Sequence, residues 1–262
     1  MTSASHSFDT LDRALRRYET AHDHCVLPGL WMVARLDGHS FTRLTRETHP
    51  FQSPFDPAFR ELMTATTEHL MTCGFRFLYG YTQSDEISLL FHPQAAEFNR
   101  KLRKLNSILA GEASAAFSLA LGHAASFDCR ISQLPSPSLV ADYFHWRQLD
   151  AARNALNAHC YWTLRRDGQS VQRATAALQG LSTGAKNELL FQHGVNFNDL
   201  PLWHKRGVGV LWATVEKEGF NPLTEERVMA QRRLLERRLD LPMKEEYRTM
   251  ILNLLPSEEK NL

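Results

Sequence analysis

Leu30-Trp-Met-Val-Ala-Arg-Leu-Asp37-Gly38-His39-Ser40-Phe41 is an apolar run that ends in an aspartate and then a glycine, where the chain can turn sharply. A second stretch, Phe75-Arg-Phe-Leu-Tyr-Gly-Tyr-Thr-Gln-Ser84-Asp85-Glu86-Ile-Ser-Leu-Leu-Phe91, reads as two strands flanking a hairpin tip. Laid side by side, these strands bring Asp37 and Asp85 within a few ångströms. Carboxylates that close repel unless a divalent cation lies between them, and Mg²⁺ favours carboxylate oxygens together with nucleotide phosphate oxygens. Either motif alone is also an ordinary turn. The two in this order point to a two-metal nucleotidyl-transfer site.

Working outward, residues 9–22 read as a helix capped by Asp9, with Leu11, Leu15 and Tyr18 on one face. The first strand covers 30–37, and an amphipathic helix covers 57–73, with Pro57 in its first turn and Gly74 past its end. Strands at 75–81 and 86–91, a long Ala- and Leu-rich helix over 95–121 and a strand near 123–130 complete the pattern. Strand, helix, two strands, helix, strand is the split βαβ order of a ferredoxin-like sheet, which is also the palm of many polymerases and nucleotide cyclases. The expected fold is therefore α+β: an antiparallel polymerase-palm sheet with helices on one face over 1–138, then a mainly helical part over 139–262. That second part reads as helices at 139–165, 170–177 and 182–192, a late strand near 207–215 and a closing basic helix over 224–238.

Composition narrows the class. The chain has 262 residues, 43% of them hydrophobic, enough for one large packed core. Its apolar runs break after about 8–10 residues, well short of a membrane span. Met1-Thr-Ser-Ala-Ser-His6 is polar and carries no signal-peptide apolar region. The four cysteines are widely spaced and form no Cys-x-x-Cys pair, so a zinc site or disulfide framework is not expected and a reducing cytoplasm is. Net charge is only +1, but Arg100-Lys101-Leu-Arg103-Lys104 and the arginines between 227 and 238 form basic clusters suited to a phosphate backbone or to a solvated helix face.

Six pieces in order then resemble the tRNA(His) guanylyltransferase superfamily. They are Arg35-Leu-Asp37-Gly38-His-Ser-Phe41; Tyr79-Gly-Tyr-Thr-Gln-Ser84-Asp85-Glu86-Ile-Ser88; Phe127-Asp-Cys-Arg130; Tyr143-Phe-His-Trp146-Arg147-Gln148-Leu-Asp150; Gly184-Ala-Lys186-Asn187-Glu188-Leu-Leu-Phe191; and Lys205-Arg-Gly207-Val-Gly-Val-Leu-Trp212. The resemblance implies nucleotide addition to RNA 5′ ends in the 3′→5′ direction. It gives two Mg²⁺ ions to Asp37, Asp85 and the Gly38 carbonyl, with Glu86 as the third acidic group. It places a nucleoside triphosphate (GTP, ATP or another) against Asp37, Gly38, His39, Ser40, Phe41 and Thr42 and against Ser84. Arg35, Arg100, Lys101, Lys186 and Asn187 match positions that hold a second triphosphate or the RNA 5′ end. Arg147, Arg153 and Asn154 are the candidate tRNA contacts, and a homo-oligomer, a tetramer, is implied. No protein nucleophile is needed, in keeping with the lack of a Ser/His/Asp or Cys/His arrangement.

Two departures refine the expectation. Members that recognise tRNA(His) carry His-Ile-Asn-Asn-Leu-Tyr-Asn after the Trp-Arg-Gln-x-Asp element, whereas this chain has Ala152-Arg153-Asn154-Ala155-Leu156-Asn157-Ala158. A frequent lysine in the Phe-x-Lys-Pro segment is Ser53 here. Both suit the guanylyltransferase-like proteins and template-dependent repair of tRNA 5′ ends rather than a dedicated tRNA(His) guanylyltransferase. A non-catalytic RNA-binding palm and a nucleotide cyclase are the readings from other classes.

Overall fold

The computed structural model describes residues 7–221 and 226–256. The reading of Met1–His6 and the start of the helix expected at 224 lie outside the described residues. Helix α1 (Phe8–Thr20) starts on Ser7, whose hydroxyl accepts from the Thr10 amide, so Asp9 sits in the first turn and is not the cap. The helix buries none of its residues, and Phe8, Leu11, Leu15 and Tyr18 line an exposed face.

The palm follows: β1 (Trp31–His39), α2 (Phe41–Arg43) running into a π turn over Leu44–Thr48, α3 (Pro57–Thr72), β2 (Phe77–Gln83), β3 (Glu86–Phe91), α4 (Leu102–Leu121) and β4 (Ser126–Leu134). The order β4-β1-β3-β2 is the ferredoxin-like arrangement, with every neighbouring pair antiparallel. Helix α3 begins where Asp56 accepts from the amides of Ala58 and Phe59, with Pro57 already fixed in helical φ.

The rest of the chain supplies α5 (Pro137–Arg166), α6 (Val171–Leu178), α7 (Thr183–Gln192), the short α8 (Leu202–Arg206), β5 (Val208–Asn221), β6 (Glu226–Arg238) and α9 (Lys244–Leu254). Here the sheet grows beyond the expected palm: β5 pairs with β2 and β6 with β5, giving six strands. The basic segment expected as a helix over 224–238 is thus strand β6. Its residues have good helix propensity, but a ladder running from Gly209–Arg238 to Asn221–Glu226 outweighs it. Leu235 then faces the core while Leu234 is exposed, the alternation a strand imposes. Arg237 bonds Glu61 and Glu68 of α3, and Arg233 lies over the Trp212 ring, so these arginines are largely engaged within the fold.

The long helix expected over 95–121 also starts later. Phe98, Asn99 and Arg100 all hold positive φ, and regular helix begins at Leu102. The backbone around Arg100 is taken by the 24–26 segment: Val26 donates to the Arg100 carbonyl, and Leu102 donates to that of His24. Those groups are no longer free for an uninterrupted helical ladder.

Side-chain alternation along β1 sorts the core into two layers. Met32, Ala34 and Leu36 face α3 and α4, where Leu70, Leu109 and Phe117 are fully buried. Val33 faces the other side, against Phe144 of α5 and Tyr247 and Ile251 of α9. The palm helices cover one face, as expected, and the helices of the second part cover the other. If α9 is integral to that second layer, Ile251→Ala should lower unfolding free energy by about 2–5 kcal/mol in chemical denaturation. Leu252→Ala, at a partly exposed position, should stay within about 0.5 kcal/mol. Equal effects would show that α9 does not pack as described.

Candidate active site

Two turns make the site. At the end of β1, Asp37 lies opposite Glu86 in the β1–β3 ladder and opposite Asp128 in the β1–β4 ladder. At the β2–β3 tip, Ser84 and Asp85 form a two-residue loop, with Ser84 at φ 54°. The turns are tied directly: the Gly38 amide donates to the Asp85 carbonyl at 3.0 Å. Gly38 itself is required. A Cβ there would stand 2.5 Å from the ring of Phe41, which is 2% exposed and packed among Phe59, Phe117 and Phe127.

Asp85 is half-buried, and burial pushes its carboxyl up from the ordinary aspartate range, with the charges of Asp37 and Glu86 adding to the rise. No cationic side chain among the described residues pairs with it. Asp37 differs, with Arg35 at 3.6 Å and Arg130 at 4.0 Å. Two carboxylates and the Gly38 peptide form an all-oxygen donor set, and among the described residues no third His, Cys, Asp or Glu converges on it. Such a set fits Mg²⁺, which is commonly held by one or two carboxylates and completed by water and substrate phosphates.

Glu86, read as the third acidic group, is not free. One carboxylate oxygen accepts from Arg35 and the other from Arg147 at 2.7 Å. Arg147, expected as an RNA contact, is only 5% exposed and also donates to Asp150 at 2.9 Å, so its guanidinium is engaged within the fold. Arg153 is exposed but paired with Asp150 at 2.5 Å, and Asn154 donates to the same carboxylate at 3.3 Å.

A cavity of about 310 Å³ opens beside the tip. Thr42, Ser84, Asp85 and Glu86 line it together with the aromatic rings of Phe55, Trp162 and Trp203, the polar Gln52 and Gln83, and Ala151, Ala155 and Ala158 of α5. Arg46 lies over the Trp162 ring and Arg60 over that of Trp203, and both line the cavity. His39 and Ser40 are exposed on the β1 turn, Ser40 at φ 61°.

Four expected nucleotide contacts are not brought here within the chain. Arg100 is 8% exposed and donates to the Leu30 carbonyl, roughly 20 Å along β1 from Asp37 at strand rise. Lys101 and Arg103 pair with Asp23, whose carboxyl they hold well below its ordinary range. Lys186 and Asn187 lie on α7, away from the cavity lining: the Lys186 carbonyl accepts from Cys160, and Asn187 donates to the Thr183 carbonyl. Conversely, the sequence reading gave no role to Arg130, Asp150, Phe55, Trp162 or Trp203. Arg130 and Asp150 stood inside quoted motifs. The aromatics come from separate segments with no common period, so only the fold assembles them.

An antiparallel palm with carboxylates at the β1 end and hairpin tip, next to a nucleoside-sized cavity, is the architecture shared by polymerase-palm nucleotidyltransferases and nucleotide cyclases. The family model "tRNAHis guanylyltransferase" matches residues 12–135 and "Thg1 C terminal domain" matches 138–252, so the chain belongs to the tRNA(His) guanylyltransferase family. The probable tRNA(His) guanylyltransferase of Drosophila melanogaster is 33% identical over 80% of this chain and 78% of its own length. That of Homo sapiens is 32% identical, covering 75% and 69%. Among solved structures, a bacterial tRNA(His) guanylyltransferase (Thg1)-like protein in complex with ATP superposes at TM-score 0.73, with 25% identity over 94% of this chain and 99% of that one.

The raised Asp85 carboxyl has a consequence for stability. A group whose pKa is higher folded than unfolded favours folding most below its unfolded pKa, and loses that contribution as pH rises through the folded value. In EDTA, Asp85→Asn should therefore gain melting temperature relative to wild type as pH goes from 4 to 8. A melting-temperature difference between the two that does not change from pH 4 to pH 8 would contradict the uncompensated charge.

Proposed function

We propose that this chain adds nucleotides in the 3′→5′ direction to the 5′ end of tRNA, copying the base opposite in the acceptor stem. The observation that carries the reading is the junction of the Asp37 and Asp85 turns, held by the Gly38–Asp85 hydrogen bond, with Asp85 itself bordering the cavity. Asp37, Asp85 and the Gly38 carbonyl would hold two Mg²⁺ ions, which when bound neutralise phosphate charge and lower the pKa of an attacking hydroxyl. The turn from Gly38 to Thr42 and the Ser84 hydroxyl receive the triphosphate, and the aromatic and methyl walls receive the base. Where the RNA ends in a 5′-monophosphate, its oxygen attacks the α-phosphorus of ATP or GTP and pyrophosphate leaves. The 3′-hydroxyl of the incoming nucleotide then attacks the RNA 5′-phosphorus, and AMP or GMP leaves. A 5′-triphosphate end needs only the second step, with pyrophosphate leaving. Glu86 is engaged by two arginines, so no base role is given to it.

Template dependence is supported by the α5 wall. Ala151, Ala155 and Ala158 bury a base without directing hydrogen bonds to it, and Asn154 is committed to Asp150. On this reading discrimination comes from pairing with the opposite strand. The relatives' names favour a second reading, addition of a single G to tRNA(His). We also take the protein as a homo-oligomer, a tetramer by resemblance.

A panel of 5′-truncated tRNAs bearing each of the four opposing bases separates the two. The expected result is incorporation of the complement in several tRNAs, slowing once the stem is fully paired. Addition of G regardless of the opposing base, confined to tRNA(His), would restore the dedicated guanylyltransferase. Asp37→Ala and Asp85→Ala should each abolish addition in a folded protein, since the lost transition-state stabilisation is on the order of several kcal/mol. Activity within tenfold of wild type in either variant would remove the two-metal assignment.

A further inference from the structure

We infer that Arg147 is a positioning residue for nucleotidyl transfer, setting the distance between the α5 wall of the nucleoside cavity and the hairpin that carries Asp85. The inference rests on the nucleotidyl-transfer reading above. Arg147 bridges Glu86, the residue directly after Asp85, and Asp150, one turn further along α5. Its guanidinium lies 4.6 Å from the centroid of the Trp146 ring.

Charge balance alone does not account for it. Glu86 has a second cation in Arg35, and Asp150 has one in Arg153, so removing Arg147 leaves neither carboxylate without a partner. Arg35 and Glu86 both belong to the sheet, whereas Arg147 reaches the hairpin from α5. The ion pair therefore adds a geometric constraint between two elements, each bearing part of the site. Arg147 and Asp150 border the cavity, and past them on α5 Ala151, Asn154, Ala155 and Ala158 line it too. A shift of α5 against β3 would move the bound base relative to Asp37 and Asp85. Misplacement by about 1 Å can lower a rate on the order of a hundredfold. A lysine keeps the charge but lacks the planar fork and the flat face against Trp146.

The test compares wild type, Arg147→Met, Arg147→Lys and Asp150→Asn, using nucleotide addition to a 5′-truncated tRNA at saturating Mg²⁺. GTP affinity by calorimetry and melting temperature are measured in parallel. Arg147→Met should lose about 10- to 100-fold in kcat while GTP affinity stays within threefold, and Arg147→Lys should recover part of the loss. Asp150→Asn, which keeps the contact with Glu86 but weakens its other anchor, should show a smaller loss of the same kind and serves if Arg147→Met does not fold. Wild-type kcat in the folded variants overturns the inference. So does a loss of GTP affinity that matches the loss of kcat/KM, because Arg147 would then be a ligand contact. An inactive Asp85→Ala beside fully active Arg147 variants removes this inference alone, whereas an active Asp85→Ala removes the proposed function with it.

Discussion

The site depends on the antiparallel pairing of β1 with β3. That ladder sets Asp37 opposite Glu86 and leaves the two turns beyond it close enough for the Gly38 amide to reach the Asp85 carbonyl. In a sheet, a slip of one residue turns every side chain to the other face. Here a slip would send Asp37 and Arg35 into the layer of Leu70 and Phe117, and bring Leu36 to the solvent end of the α5 layer. The burial of Met32, Ala34 and Leu36 on one face therefore fixes where the carboxylates stand on the other. Core packing and site geometry are one constraint seen from two sides.

The layer between the sheet and α5 changes character along its length. It begins apolar, with Val33 and Leu90 against Val140, Ala141 and Phe144, and ends charged, with Arg35 and Glu86 against Arg147 and Asp150. Partly buried ion pairs add little net stability, because desolvating the charges offsets much of their attraction. Their value lies in direction: Glu86 accepts from cations on two different elements and so has one orientation. An apolar pair in the same place would seal the layer yet leave α5 freer to slide.

Both site aspartates were legible in the sequence because their signals are local: an apolar run ending at Asp37-Gly38, and a polar tip between alternating strands. The sheet order followed from the sequence of elements. What was not legible depended on partners distant in the chain. Arg147 reads as an RNA contact until Glu86 is brought to it, and Arg100 as a phosphate contact until the Leu30 carbonyl meets it. The 226–238 stretch is helical by composition and a strand by pairing with β5, the ordinary way in which a ladder overrides propensity. Phe55, Trp162 and Trp203 lie far apart in sequence and meet only around the cavity.

Several unfavourable features gather at this one end of the sheet. Asp85 is half-buried without a cation, Ser40 and Ser84 hold left-handed backbone at the two turns, and small alanines leave a cavity where larger side chains would fill it. Each opposes folding, by about 1–3 kcal/mol for a strained backbone of this kind. They are tolerated because the sheet is covered on both faces by fully buried residues such as Phe117 and Phe144. Natural structures concentrate strain and uncompensated charge where a ligand relieves them. Under the proposed function, a metal-bound triphosphate would bring positive charge to Asp85, pack beside Ala155 and engage both turns.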